Sequence, residues 1–238
     1  MVRGLIVSIG GLAKLETAKT AILVDGGFYR RIAEKQWGRK PPAERADELY
    51  EYALRHITCK KDARIELARR ELYRIFYYDC PPVRQASVYH PLTKKNVNFS
   101  SKDESFKWSE SFQKSLSEKR KVACRMGEVV VSNAKYNLKP WVTRDILDGK
   151  RTLESLTEDD SSVSFKQSGV DMRIGLDIAS LSHGRLVDQI VLISGDMDFV
   201  PAAKTARRNG VDFILDPMGQ SVKDQLVRHV DGVESFVK

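Results

Sequence analysis

The sequence has few residues of the kinds that hold disulfides and soft metal ions. It contains three cysteines, Cys59, Cys80 and Cys124, which are far apart, and 4 histidines in 238 residues. An odd number of cysteines without a C-x-x-C pair disfavours both a disulfide framework and a zinc site. This cysteine usage is typical of a reducing compartment and predicts a cytoplasmic protein.

Long apolar runs are also lacking, and none approaches the roughly 20 residues that a membrane-spanning helix needs. The apolar stretch over residues 4–13 is short, is broken by Gly10-Gly11 and is followed by Lys14. It therefore does not resemble a secretory signal peptide. We predict no membrane partner and no export.

Charge of one sign is in excess, because 40 Lys and Arg outnumber 32 Asp and Glu and give a net charge of +8. Both signs are spread along the chain, so the protein as a whole is basic and has no basic tail. A polyanionic partner is favoured, although charge alone gives nucleic acid only about even odds.

Short apolar runs rich in β-branched residues alternate with helical patterns. Runs at 21–24, 72–78, 190–193 and 211–215 are typical of strands buried on both faces. Amphipathic helices are predicted over 28–37, 46–57, 169–183, 199–208 and from 221. This alternation predicts βαβ units and a parallel sheet with right-handed crossovers.

The domain organisation follows from the same pattern. Residues 1–19 are predicted to form an extension, and residues 20–238 a single domain with an insertion at about 83–167. Within the insertion we expect polar turns over 96–103, a helix over 104–121, a strand over 128–132 and a flexible acidic loop over 156–164.

Aspartates end the predicted strands: Asp25, Asp79, Asp196 and Asp216. Each one alone fits an ordinary turn or cap residue, and Asp198 is predicted to cap the helix that follows it. In a doubly wound sheet, however, the first strand and the 190–193 strand flank the switch point. Asp25 and Asp196 are then expected to meet over one crevice, where such sheets bind ligands.

The helix that begins near Gly169 runs back along the sheet, so its first turn lies at the same edge. Asp171 is in that turn and is expected to join the two strand-end carboxylates. Asp177 is about 9 Å further down the helix. We expect Asp177 to be bonded to a buried donor or to act indirectly, with the structural role favoured.

Several carboxylates in one crevice repel each other unless a cation is present. Since the ligands are oxygens without cysteine or histidine, the expected ion is Mg²⁺ or Mn²⁺. Such a site activates water for in-line attack on a phosphodiester. Ser194 is placed to orient a ligand or the water, and Gly26 and Gly27 allow backbone to approach a phosphate.

Three motifs resemble the signatures of the NYN domain, in its bacterial LabA-like (DUF88) branch of the PIN-like nucleases. They are Val24-Asp25-Gly26-Gly27, Gly169-Val170-Asp171-Met172 with Leu176-Asp177, and Ser194-Gly195-Asp196-Met197-Asp198-Phe199. The resemblance spans residues 21–231. The sequence departs from the pattern at Phe28 and Tyr29, because many members carry an asparagine shortly after the first aspartate.

The resemblance implies a three-layer α/β/α sandwich with a mainly parallel, PIN-like sheet. It also implies a metal-dependent ribonuclease whose acidic positions match Asp25, Asp171, Asp196 and Asp198, with the first three as metal ligands. We predict single-stranded RNA as the partner and leave a homodimer open. The candidate phosphate-binding residues are Arg30, Arg31, Lys204, Arg207 and Arg208.

Two alternatives belong to other functional classes. The same fold can serve as a regulatory module that binds RNA or protein without cleavage, with Trp108 and Trp141 of the insertion as contact residues. A phosphatase or phosphotransferase also places aspartates at strand ends over Mg²⁺, and we rank it last because of the Asp171 helix.

Overall fold

The computed structural model describes residues 17–58 and 69–237, and most of the predicted extension lies outside these ranges. The strands are β1 (Thr17–Asp25), β2 (Arg69–Asp79), β3 (Gln85–His90), β4 (Lys95–Ser100), β5 (Val122–Met126), β6 (Glu128–Leu138), β7 (Ser161–Ser168), β8 (Gln189–Ile193), β9 (Asp212–Asp216) and β10 (Gly232–Val233). The helices are α1 (Gly26–Trp37), α2 (Pro42–Thr58), α3 (Glu104–Ser117), α4 (Pro140–Leu147), α5 (Val170–His183), α6 (Val200–Arg208) and α7 (Asp224–Val227).

Six parallel strands form the central sheet, in the order β5-β2-β1-β8-β9-β10. The chain moves outward from β1 to β2 and β5, then returns to the other side of β1 with β8. The topological switch point therefore lies between β1 and β8, as the sequence predicts. The mainly parallel α/β fold is confirmed.

The sheet is covered on both faces because consecutive strand residues point to opposite sides. Ala21 and Leu23 pack with α5 and α6, whereas Ile22 and Val24 pack with α1 and α2. All four of these β1 side chains are completely buried. Helices on both faces of the sheet give the predicted three-layer α/β/α arrangement.

The segment 83–167 supplies one strand of the central sheet and also forms two small sheets of its own. Its α3 leads to β5, which pairs with β2 as the edge strand. The β3–β4 hairpin and the β6–β7 ribbon form separate two-stranded sheets. Since β3 follows the carboxyl end of β2, and β6 that of β5, both ribbons start at the carboxyl edge of the central sheet.

Two predictions within this segment are wrong. The predicted turns over 96–103 are mostly strand β4, and the predicted loop over 156–164 consists of a 3-10 turn at Glu158–Asp160 and the start of β7. Along β7, Val163 and Phe165 are half-buried while Ser162, Ser164 and Lys166 are exposed. The period-2 pattern of a strand is present, but serine weakens it as a sequence signal.

No helix within residues 17–58 and 69–237 has the length and apolar character needed to cross a membrane.

A buried charged network ties α2 to the end of the chain. His56 Nε2 lies 2.9 Å from Asp216 Oδ2, and His56 Nδ1 lies 3.7 Å from Glu234 Oε2. Burial alone would lower the pKa of His56, but the two carboxylates raise it above its ordinary value. Bonding to His56, opposed by burial and aided by Arg70, lowers the pKa of Glu234 to about 2.

We expect this network to stabilise the fold most between about pH 4.5 and 6.5. The contribution of Glu234 is present above its unfolded pKa and is lost as pH falls towards 2. The contribution of His56 is present below its unfolded pKa and is lost as pH rises through its higher folded pKa. Urea unfolding from pH 3 to 9 measures how much lower the free energy of unfolding of His56→Gln is than that of the wild type. If this difference does not decrease above neutral pH, the role assigned to His56 is contradicted.

Candidate active site at the sheet switch point

The carboxyl ends of β1 and β8 lie side by side at the switch point. Val24 pairs with Ile193 in the parallel register, so the next residues, Asp25 and Ser194, follow at the same edge. The hydroxyl of Ser194 donates to Asp25 Oδ2 at 3.1 Å. Two segments that are 169 residues apart in sequence are thus joined directly at this edge.

Asp25 is half-buried and serves as the N-cap of α1. Its Oδ1 accepts the backbone N–H of Phe28 at 3.0 Å. Burial raises the pKa of Asp25 above its ordinary value, although the bonds from Phe28 and Ser194 oppose this, and the negative charge of Asp171 adds to the increase. Both carboxylate oxygens of Asp25 are thus held in position by hydrogen bonds.

The hydrogen-bonded chain continues from Ser194 into the following loop. The N–H of Asp196 donates to Ser194 Oγ at 3.3 Å, and the N–H of Asp198 donates to Asp196 Oδ1 at 3.0 Å. Ser194 is completely buried, with its hydroxyl engaged on both sides. Ser194 therefore positions Asp25 and Asp196, and this corrects the expectation that it orients an attacking water.

The structure also corrects the capping role predicted for Asp198. A 3-10 turn at Met197–Phe199 precedes α6, and the side chain that caps this turn belongs to Asp196. The helix α6 starts at Val200 without a side-chain cap. Asp198 is exposed and does not cap α6, so its carboxylate is accessible to a ligand.

Asp171 lies in the first turn of α5, as predicted, and is exposed. Partial burial, followed by the charges of Asp196 and Asp198, raises its pKa. Asp171 is therefore within electrostatic range of Asp25 on one side and of Asp196 and Asp198 on the other. The carboxylates repel each other at a ligand-binding edge, and a divalent cation would relieve that repulsion.

The carboxylates at this edge fit a Mg²⁺ or Mn²⁺ ion that is bound only partly by the protein. Among the residues described, no three Asp, Glu, His or Cys side chains are grouped closely enough to hold a metal by themselves. Mg²⁺ is commonly held by one or two carboxylates, with waters and substrate phosphates completing its shell. The exposed carboxylates around Asp25 suit that mode and do not suit a closed all-protein cage.

A second strand-end aspartate, Asp79, lies at the carboxyl end of β2, the strand next to β1. It is buried and accepts hydrogen bonds from Tyr77 OH at 2.6 Å, Cys80 N at 2.8 Å and Arg30 Nη2 at 3.0 Å. Burial, together with the charge of Asp79, raises the pKa of Tyr77, which stays a neutral donor. Arg30, predicted to bind phosphate, is half-buried and forms an ion pair with the buried Asp79.

The glycines of the first motif have different roles. A Cβ atom on Gly26 would lie 2.5 Å from the Tyr77 ring and 2.6 Å from the carbonyl oxygen of Tyr78. Close packing therefore explains Gly26, which is buried, without any approach to a phosphate. Gly27 is exposed beside Asp25 and remains available for such an approach.

Phe28, which stands near the position where many family members have asparagine, connects α1 to the second motif. A Cβ atom on Gly195 would lie 2.9 Å from the Phe28 ring. The loop that carries Asp196 therefore packs directly against this ring. The guanidinium of Arg31 lies 5.9 Å from the centre of the same ring, and Arg31 is exposed. Of the predicted basic residues, Arg31 is therefore the one that remains exposed next to the site.

The remaining predicted cations lie elsewhere. Because α6 runs back from the carboxyl edge, Lys204, Arg207 and Arg208 lie towards the opposite edge, around Asp212 at the start of β9. They do not surround the Asp25 crevice. Trp108 is half-buried, and its Nε1 donates to Lys40 O while its ring stacks on Phe112.

Asp177 has the structural role that the sequence favours. Tyr78 OH donates to its Oδ2 at 2.8 Å, and Arg125 Nε lies 3.3 Å from the same oxygen. Two cations at this edge escaped the sequence analysis, Arg125 at the end of β5 and Arg173 in the first turn of α5, and both are exposed. The position of Arg173, two residues after Asp171, was the available signal.

These features define a PIN-like α/β protein with an acidic site at its switch point. A family model described as the NYN domain matches residues 94–234, which is more than half of the chain. The chain therefore belongs to the NYN domain family, within the PIN-like nuclease superfamily, whose members are generally RNA-binding nucleases that use divalent metals. The matched residues include Asp171, Asp196 and Asp198, while Asp25 lies before them.

Other comparisons add little. No curated protein matches the chain. A Vibrio parahaemolyticus protein of unknown function is 12% identical with a TM-score of 0.45, covering 94% of this chain and 95% of that one. A chain from a structural study of the mechanism and regulation of Sir2 enzymes is 8% identical with a TM-score of 0.33, covering 95% and 88%. Both likenesses are too weak to bear on function.

Proposed function

We propose that the protein is a metal-dependent ribonuclease that hydrolyses phosphodiester bonds of single-stranded RNA. The observation that carries the proposal is the hydrogen-bonded chain from Asp25 through Ser194 to Asp196 and Asp198, with Asp171 in the first turn of α5 at the same edge. Within the NYN family we assign the chain to the LabA-like (DUF88) branch, which is bacterial, on its three aspartate motifs.

In the proposed mechanism, Asp25, Asp171 and Asp196 are the carboxylates that would bind Mg²⁺ or Mn²⁺, with waters and substrate phosphates completing the shell of the ion. The ion would supply charge neutralisation at the scissile phosphate and activation of water. Ser194 keeps the Asp25 carboxylate fixed through its hydroxyl, and Phe28 N–H fixes the other oxygen of that carboxylate. The exposed carboxylate of Asp198 would complete the ligand shell of the ion or orient the water.

The surroundings of the site are suited to a polyanion. Arg31 and Arg173 are exposed at the same edge, and we infer that they contact phosphates on either side of the scissile bond. Cys80 and Cys124 are free thiols. They agree with a reducing compartment, and we propose a cytoplasmic location. A homodimer stays a hypothesis.

The test compares the wild type with Asp196→Asn on a 20-nucleotide single-stranded RNA with Mn²⁺ or Mg²⁺. Asparagine retains the oxygen that accepts Asp198 N–H, so the loop is preserved while a charge is removed. We expect wild-type cleavage that EDTA abolishes, and a loss of at least about 100-fold in the variant, typical of removing one electrostatic group at a reaction centre.

The other outcomes separate the alternatives. Equal, EDTA-insensitive cleavage by both proteins would show that the aspartates are not the reaction centre. Hydrolysis of small phosphate esters without cleavage of RNA would select a phosphatase. RNA that is bound with EDTA-independent affinity and never shortened would select a regulatory binding module.

A further inference from the structure

A basic surface lies at the amino edge of the sheet, away from the aspartate site. It is a cavity of about 750 Å³ at the C-terminal end of α6, and it is lined by Lys204, Arg207, Arg208, Gly210, Val211, Asp212 and Asp231. We call it the α6 cavity. It is broadly open to solvent, unlike the enclosed pockets that bind small ligands.

The two carboxylates of the α6 cavity are already used within the protein. Asp231 accepts Arg207 Nε at 2.8 Å and Phe213 N at 2.9 Å. Asp212 accepts Gln189 Nε2 at 2.5 Å. Arg207 is thereby held in place at the wall of the cavity, while Lys204 and Arg208 are exposed and carry charge that these acids do not neutralise.

The cations of this region are close enough to repel each other. Desolvation, followed by the charges of Lys204, Arg207 and Arg228, lowers the pKa of neighbouring His229. Cations near a helix C-terminus have an ordinary stabilising role through the helix dipole. Several cations around one concave surface also repel each other, and this repulsion opposes the stabilisation by the helix dipole unless an anion is bound there.

The α6 cavity is connected to the aspartate site by one face of α6. All nine residues of α6 are described, and none is acidic. Its exposed residues Pro201, Lys204 and Arg208 are spaced i, i+3 and i+7, which places them on one face. This face begins near Asp198 and extends about 10 Å along the helix axis.

We propose that the α6 cavity binds phosphates of single-stranded RNA whose adjoining segment occupies the Asp25 site. The inference rests on the proposed function, because it places one strand across both sites. A strand that leaves the aspartates along α6 meets only neutral or positive side chains of this helix. Phosphate contacts of this kind add affinity and register without reading sequence.

The test measures binding of a 20-nucleotide single-stranded RNA in EDTA, so that cleavage does not interfere, from 50 to 300 mM salt. The variant is Lys204→Gln/Arg208→Gln, which leaves the Arg207–Asp231 pair intact. The matched control is Lys35→Gln/Arg120→Gln, two exposed cations of α1 and of the segment after α3, with the same change in net charge.

We expect the variant to bind at least about tenfold more weakly at 100 mM salt and to lose about 1.4 from the slope of log K against log salt, equivalent to two phosphate contacts. In cleavage assays its KM is expected to rise with kcat unchanged. Affinity and slope equal to the wild type, or equal losses in the control, would overturn the proposal. If the wild type binds RNA but never cleaves it, the proposed function fails while the binding result still decides this inference.

Discussion

Asp25→Asn is expected to abolish metal-dependent RNA cleavage, by at least about 100-fold, without destabilising the fold. Asparagine can still accept Phe28 N–H and can donate to Ser194 Oγ, so the cap and the link to β8 are retained. The folded-state pKa of Asp25 is raised, so its charge opposes folding above that pKa. The free energy of unfolding of Asp25→Asn at pH 7 should therefore equal or exceed that of the wild type. The difference between the two proteins should shrink as pH falls and Asp25 becomes protonated.

Metal linkage gives a second measurement for the same variant. A ligand that binds only the folded state stabilises it, by about 2.7 kcal/mol at a concentration 100 times its Kd. Mg²⁺ or Mn²⁺ should raise the melting temperature of the wild type, and Asp25→Asn should lose most of this increase. The control is Asp159→Asn, an exposed aspartate in the 3-10 turn at Glu158–Asp160. Destabilisation of Asp25→Asn at pH 7 with cleavage retained would show that Asp25 is only a cap.

The position of the site could be predicted because its causes are local in sequence. Continuous apolar runs identify strands buried on both faces, and their alternation with helices fixes a parallel sheet. Once the sheet is doubly wound, the order of β1 and β8 brings Asp25 towards the Ser194–Asp198 loop. The place of Asp171 follows from the direction of α5.

What could not be predicted depends on contacts made across the fold. Asp25, Asp79 and Asp216 look alike in sequence, since each ends a strand. Asp79 is compensated by Arg30 and Tyr77, which the sequence does not connect to it. Strands β4 and β7 were missed for a different reason, because serine and asparagine dilute their alternation of apolar and polar residues.

One error was avoidable on physical grounds. A helix that follows a parallel strand returns to the opposite edge, so the last turn of α6 cannot lie beside the aspartates. The prediction that groups Lys204 and Arg208 with the crevice rests on charge alone. The direction of α6, like that of α5, separates these two residues from the aspartates.

Asp216→Asn is expected to have the opposite effect to Asp25→Asn, with a large loss of stability. Asp216 is completely buried and accepts four hydrogen bonds: from Tyr52 OH at 2.6 Å, His56 Nε2 at 2.9 Å, Met218 N at 2.7 Å and Ser235 Oγ at 2.5 Å. Asparagine has one acceptor oxygen, so its NH₂ group must face two of these donors. Removing the charge also leaves His56 without its nearest counterion. Breaking one side of a buried charge pair costs about 3–5 kcal/mol.

Tyr52→Phe provides the graded comparison, because it deletes one of the four donors and leaves the carboxylate in place. We expect Tyr52→Phe to cost about 1–2 kcal/mol and to retain cleavage, since the network around Asp216 is separate from the Asp25 chain. Urea unfolding at pH 6 measures both variants and remains informative if Asp216→Asn is largely unfolded in buffer. A change of less than about 1 kcal/mol in Asp216→Asn would contradict the structural role. In that case the end of β9 would have to be considered, with that of β1, as part of the reaction centre.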